Sequence, residues 1–169
     1  YLPDYIFASA QADIRPMTPG ANGVKVYHNI QSATFIGGDF NIIANLTHHC
    51  RLVNVTKYTL ARDNTNTPLP LIPALTTITT LQYTLNQWNI QTECEGAFRQ
   101  ERVNSSFGED VTQGYAILNL RSQYTFKKQN LSINGGIENI LNTMYHNHLD
   151  WGNVPRPGRN FYISMSFAF

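Results

Sequence analysis

The 169 residues carry 12 Lys and Arg against 11 Asp and Glu, a net charge of +1 with only 14% charged residues, which excludes a basic nucleic-acid footprint and an acidic tail. Aromatics reach 12%, Asn and Thr are frequent, and Lys, Glu and Ala are sparse for a helical protein, a mixture that favours strands and turns. No run approaches the roughly 18–20 apolar residues of a membrane helix, and a mean hydropathy of −0.28 is uninformative for a β-barrel, in which each lipid-facing residue is averaged with a lumen-facing neighbour.

The length suits one domain. Tyr1 is not a start methionine and no charged-then-apolar leader precedes the first strand, so the expectation is a removed leader or a piece of a longer chain. Cys50 and Cys94 lack metal-ligand spacing; a disulfide is compatible with the sequence, and free thiols are the expectation.

In chain order, Tyr5 to Ala10 reads as a short strand, followed by a Pro- and Gly-marked loop from Arg15 to Gly23. A long extended stretch runs from Val24 to Asn45. In its second half Phe40, Ile42, Ala44 and Leu46 share one face opposite Asp39, Asn41 and Asn45, and Gly37-Gly38 predicts a bend or a close backbone approach. Thr47-His-His-Cys50 is a tight turn, and Leu52 to Ala61 returns. After a turn-rich loop from Arg62 to Pro73, Thr76 to Leu85 forms a strand with Thr79, Leu81, Tyr83 and Leu85 on one side.

Asn86 to Asn89 turns that strand. From Ile90, the set Ile90, Thr92, Cys94, Gly96 and Phe98 opposes Gln91, Glu93, Glu95, Ala97 and Arg99. A loop from Asn104 to Gly114 holds Gly108-Glu-Asp110. Then Ala116, Leu118, Leu120, Tyr124 and Phe126 alternate with Asn119, Arg121, Gln123 and Thr125, Lys127 to Asn130 turns, and Leu131, Ile133, Gly135 and Ile137 oppose Ser132, Asn134, Gly136 and Glu138. A last loop, Asn142 to Gly158, leads to the terminal strand. There Phe161, Ile163, Met165, Phe167 and Phe169 face one way, and Tyr162, Ser164, Ser166 and Ala168 the other.

About eight strands of roughly ten residues match the length that crosses a bilayer when tilted. Short turns fall after the second, fourth and sixth strands and long loops after the others, the arrangement of outer-membrane barrels. The fold class expected is all-β, an antiparallel transmembrane β-barrel. A β-sandwich with the terminal strand at its edge is the water-soluble alternative, and burial of Phe161, Ile163, Met165 and Phe167 between two layers would decide for it.

Several stretches resemble the C-terminal end of TonB-dependent outer-membrane receptors. These are Glu109-Asp-Val-Thr-Gln-Gly-Tyr-Ala-Ile-Leu-Asn-Leu120, Gly136-Ile-Glu-Asn-Ile-Leu-Asn-Thr-Met-Tyr145, His148-Leu149, and Pro157-Gly-Arg-Asn-Phe161 with a terminal Phe169. Upstream, Tyr27-His-Asn29, Ala33, Gly37 and Asp39 are similar to a Tyr-x-Asn, Ala-x-x-x-Gly-x-Glu stretch of that family, with Asp for Glu. The resemblance spans roughly Val24 to Phe169. It implies about the last eight strands of a 22-stranded barrel plugged by an N-terminal domain, so that residues 1–169 are the C-terminal part of that barrel. It also implies a bacterial outer-membrane location, no cofactor and no enzymatic activity.

The implied function is energised uptake of a scarce ligand, an iron complex (siderophore or haem) or another metal. The implied partners are the remaining strands and plug of the same receptor, the TonB–ExbB–ExbD complex, the barrel-assembly machinery, outer-membrane lipid and the transported ligand. A small self-closed eight-stranded barrel with a structural or adhesive role is the alternative; the short, poorly patterned first strand argues against closure.

Candidate ligand contacts are His146, His148 and Trp151 on the last long loop, with Asp150, Arg156 and Arg159 near, and Glu93, Glu95 and Arg99 on the lumen face. A His-x-His pair binds a metal or haem iron only if a third ligand converges on it, and the His-Leu of the resemblance favours a role in loop structure. His48-His-Cys50 reads as a solvated turn in preference to a soft-metal site. The lumen charges read as a hydrated ladder in preference to a ligand path. A hydrolase would need His146 or His148 with Asp150 and Ser105 or Ser106, for which no nucleophile motif is present. By resemblance, Phe161, Ile163, Met165, Phe167 and Phe169 are the signal that the barrel-assembly machinery reads.

Overall fold

The computed structural model describes residues 1–11, 13–14 and 24–168, and of Trp151 the backbone alone. The predicted Arg15–Gly23 loop, the Trp151 side chain and Phe169 therefore lie outside the described residues. Eight antiparallel strands form one sheet in sequential order: β1 (Leu2–Gln11), β2 (Val24–Asn45), β3 (Cys50–Asp63), β4 (Thr76–Leu85), β5 (Trp88–Ala97), β6 (Tyr115–Phe126), β7 (Leu131–Glu138) and β8 (Asn160–Phe167).

The first strand is longer than its sequence predicts. Pro3 lacks an N–H and Asp4 sits at φ 54°, so alternation fails at its start, yet the first half of β2 pairs it from Leu2 to Gln11. Proline is tolerated on such an outer strand. β5 begins at Trp88, inside the expected turn, because the two residues Asn86 and Gln87 suffice to reverse the chain and Asn86 takes the left-handed conformation (φ 53°). The Gly37 expectation is met by geometry: a Cβ there would lie 2.5 Å from the Tyr58 carbonyl oxygen. Both cysteines are free thiols.

Register carries the two faces unbroken across the sheet. Phe161, Ile163, Met165 and Phe167 pair with Ile137, Gly135, Ile133 and Leu131, which pair in turn with Leu120, Ser122, Tyr124 and Phe126. Leu120 continues to Thr92, Leu81, Leu52 and Ala44. Among the described residues no second layer lies over this face: Phe161, Ile163, Met165 and Phe167 are 66, 78, 72 and 57% exposed. A sandwich would bury them, so that alternative falls.

One cluster of an amide and hydroxyls on this apolar face satisfies itself. Asn54 donates to Thr77 Oγ1 (3.0 Å) and Thr79 Oγ1 (2.8 Å) and accepts from Thr56 Oγ1 (3.0 Å). Internal pairing of this kind is what a hydrocarbon surrounding demands. Among the described residues no ladder joins β8 back to β1, so the sheet is open and the self-closed eight-stranded alternative is not what these strands build.

Candidate functional site: the long-loop end and the polar face

The face opposite the apolar one is a ladder of paired polar side chains. Glu93 takes an ion pair from Arg121 (3.0 Å) and a hydrogen bond from Asn119 (3.1 Å). The Tyr115 hydroxyl donates to Glu95 (3.4 Å), and Asn160 donates to Glu138 (3.4 Å). Tyr162 lies over Gly136, where a Cβ would come within 2.6 Å of its ring. Arg99 departs from the expected grouping. It lies just past the end of β5 and pairs with Glu101 (3.3 Å).

Above this ladder, three long loops interlock through buried polar groups. Gln100, 2% exposed, donates to the Ile72 and Pro73 carbonyls (2.9 and 3.2 Å). Asn104 donates to the Pro68 carbonyl (2.9 Å), and its Oδ1 accepts from the Ser106 and Phe107 amides (3.1 and 3.2 Å). Glu109 joins the loops. One carboxylate oxygen accepts from the Leu71 N–H, the other from the Asn104 N–H (2.9 Å).

His148 reaches Glu109 from the third loop. Its Nδ1 shares a hydrogen bond with Thr112 Oγ1 (2.8 Å), and its Nε2 stands 3.7 Å from Glu109 Oε1, with no hydrogen-bond partner among the described residues. The two side chains are 3% and 8% exposed. Burial pushes the His148 pKa down, the Glu109 carboxylate opposes that shift, and His146 adds to it. The last loop is braced by Asp150, which takes two bonds from Arg156 (2.8 and 2.9 Å) and one from the Asn147 amide (2.8 Å). The Arg156 guanidinium holds the Asp150 carboxyl down at about 2.

At the foot of this loop Asn139, with φ 48°, exchanges two 2.8 Å bonds with the Thr143 backbone and donates its own N–H to Asn119 Oδ1 (2.9 Å). Asn142 Oδ1 accepts from the Arg159 amide (2.9 Å). A chain rich in such short side-chain clamps keeps a long loop in one shape without an apolar core.

Of the residues singled out from sequence, His148, Leu149 and Asp150 line a hollow of about 400 Å³ beneath the loops together with Lys25, Phe107 and Glu109. The Lys25 ammonium lies 3.5 Å from the Phe107 ring centre. Glu93, Glu95, Arg121 and Glu138 line a second hollow of about 300 Å³ on the polar face. His146 is half-buried beside His148, and among the described residues no three metal-ligating side chains converge. His48, His49 and Cys50 sit at the opposite end around an open hollow, with His49 Nδ1 3.0 Å from the Thr84 carbonyl oxygen. Of the residues a hydrolase would use, Ser106 Oγ donates to Asn104, and Asp150 is engaged by Arg156. Sequence reasoning missed Gln100, Asn104 and Glu109 as keystones.

A family model described as TonB dependent receptor-like, beta-barrel, matches residues 4–140. The chain belongs to that family. Solved structures agree on the fold. A copper transporter, OprC, superposes with a TM-score of 0.86 at 22% identity over 98% of this chain and 27% of its own. FpvA of P. aeruginosa bound to heterologous pyoverdines gives 0.67 at 14% identity, over 96% of this chain and 22% of its own. The ferripyoverdine receptor of the outer membrane of Pseudomonas aeruginosa gives 0.66 at 15% identity, over 94% and 22%. The chain thus spans about a quarter of the length of these structures. In a TonB-dependent receptor barrel the apolar face meets lipid, the polar face lines the lumen, and long loops stand outside with short turns at the periplasmic side.

Proposed function

We propose that residues 1–169 are the C-terminal part of the barrel of a TonB-dependent receptor in the bacterial outer membrane, taking up a metal as an ion or complex. A transporter role without catalysis is part of the proposal. So are the absent partners: a plug, the remaining strands, and the TonB–ExbB–ExbD complex that energises them. The observation that carries the reading is the pairing of a hydrated lumen ladder with an interlocked loop cap directly above it. Such a cap gives a ligand a shaped entrance, and the ladder gives it a wet path inward.

The choice of metal cargo leans on the likeness to a copper transporter and to ferripyoverdine receptors, and on the histidines of the last loop. Siderophore, haem and copper are the candidate cargoes, and His146, His148, Trp151, Glu93, Glu95 and Arg99 the proposed contacts. Growth of a strain lacking the receptor, compared on a panel of single iron and copper sources, should fail on one of them. Equal growth on every source would sink metal uptake.

The alternation ending at Phe169 is proposed as the assembly signal. Its apolar side chains, Phe161, Ile163, Met165 and Phe167, stand clear of the sheet for such a reader. Deleting Phe169 should lower the amount of heat-modifiable folded barrel in outer-membrane fractions; an unchanged amount would remove the role.

A further inference from the structure

The lipid-facing side of β6 to β8 has a notch that the sheet itself does not need. In the row Ile90–Ser122–Gly135–Ile163 two small residues stand between two large ones. The rows on either side, Leu120–Ile137 and Tyr124–Ile133, are bulky. The result is an open groove of about 590 Å³, walled by Trp88, Tyr124, Phe126, Ile133 and Ile163. Glycine weakens a strand unless something requires it. Gly136 is required, because Tyr162 fills the space beside it on the lumen side. Gly135 is not: a Cβ there would meet only the Tyr162 carbonyl oxygen, at an ordinary 3.6 Å.

The groove opens toward the short-turn end. Trp88, Tyr124 and Phe126 stack there in sequence, with ring centres 4.8 and 4.6 Å apart. Aromatic clusters of this type mark the headgroup level of a barrel. The turn just beyond them carries two exposed lysines, Lys127 and Lys128, with no acidic residue in it. Gly135 lies five residues up the strand from Asn130. At about 3.4 Å per residue and a tilt near 40°, that is roughly 13 Å into the membrane. An acyl chain anchored at the turn reaches this depth.

We propose that this face seats one anionic phospholipid, with an acyl chain in the groove over Ser122 and Gly135 and the headgroup phosphate at Lys127 and Lys128. Two positive charges at the mouth of an apolar slot select a net-negative headgroup over a zwitterionic one. The seat rests on the membrane-spanning fold and is independent of the transported cargo.

The test uses the full-length receptor purified in detergent, with phosphatidylglycerol and phosphatidylethanolamine of matched chains added and retention read by native mass spectrometry. Wild type should hold one phosphatidylglycerol in preference to phosphatidylethanolamine. Replacing Lys127 and Lys128 by Gln should cut that preference about fivefold per lysine. Gly135→Leu, which fills the groove from the lipid side, should lower retention of both lipids. Should that variant fail to fold, the turn variants decide alone, since both lysines are exposed. Equal retention of the two lipids by wild type, or a preference unchanged by the lysine variants, overturns the seat. A receptor recovered from aqueous fractions without detergent would instead overturn the membrane reading itself.

Discussion

At the short-turn end the hairpins are tied to one another by a repeated backbone device. The His49 carbonyl accepts from the Thr84 amide (2.8 Å), the Gln87 carbonyl from Thr125 (3.1 Å), and the Asn130 carbonyl from Ala168 (3.0 Å). Each turn thus receives a bond from the strand that follows the next long loop or turn, and any residue with a carbonyl can supply it. At the long-loop end nothing repeats. Glu109, Asn104, Gln100 and Asn139 each make bonds that only their own side chains can make. One end is held by the geometry of a staggered sheet, the other by a few particular residues. The turn end should therefore tolerate substitution, and the loop end should not.

The largest break in that contrast is expected at Glu109. Replacing it by Ala strips two backbone donors, Leu71 and Asn104, of their acceptor. Asn104 is buried, so orphaning its donor should cost the cap about 1–3 kcal/mol locally, whereas the exposed Leu71 N–H passes to water. Amide hydrogen exchange of residues 64–75 and 98–114 should quicken by about 5- to 150-fold, while that of 86–87 and 127–130 stays unchanged. Exchange that rises equally at both ends would show that the cap is not a separate unit.

Two asparagines make the contrast quantitative. Asn130 at the turn end and Asn139 at the loop end have nearly the same left-handed backbone, φ 51° and 48°. Glycine adopts that conformation freely, so Asn→Gly isolates what each side chain does. Among the described residues Asn130 has no side-chain hydrogen bond, whereas Asn139 exchanges two with Thr143. Asn130→Gly should change stability by a few tenths of a kcal/mol at most, and Asn139→Gly should cost about 1–3 kcal/mol at 0.5–1.5 per bond. Equal losses in thermal or denaturant unfolding of the two variants would refute the distinction.

The same contrast explains what the sequence discloses. Strands β2, β4 and β7 have the bounds expected of them, and within the strands the expected faces are preserved, because alternation is a local signal repeated many times. β1 exceeds its sequence signal because Pro3 and Asp4 interrupt its pattern, and its length is set by pairing with β2. The turn end is legible since its bonds follow from strand stagger alone. The loop keystones are not. Glu109 draws its donors from positions 5 and 38 residues away, and no spacing rule marks that coincidence. Arg99 shares the alternation of Glu93 and Glu95, yet it extends past the strand's end, where alternation stops fixing direction.

Acidification should also separate the ends, by a smaller margin. His148 is held below its ordinary 6.5 by burial, so the folded cap favours the neutral ring and the unfolded chain binds the proton first. The cap's stability is therefore full above about 6.5 and declines as the pH falls below that value, levelling once the folded ring is also protonated. The facing Glu109 carboxylate limits the loss. Asp150 acts in a different window: with its folded value at about 2, the Arg156 brace is fully present above the ordinary 3.8 and fades only as the pH falls toward 2. Between these windows His148 alone of the two should loosen the loops. Exchange in 98–114, corrected for its intrinsic pH dependence, should rise from pH 7.5 to 5.5 in the native receptor. It should stay flat over that range in His148→Gln, and the turns at 86–87 and 127–130, which contain no histidine, should not respond in either protein. A response that persists in His148→Gln would place the pH sensitivity elsewhere in the loops.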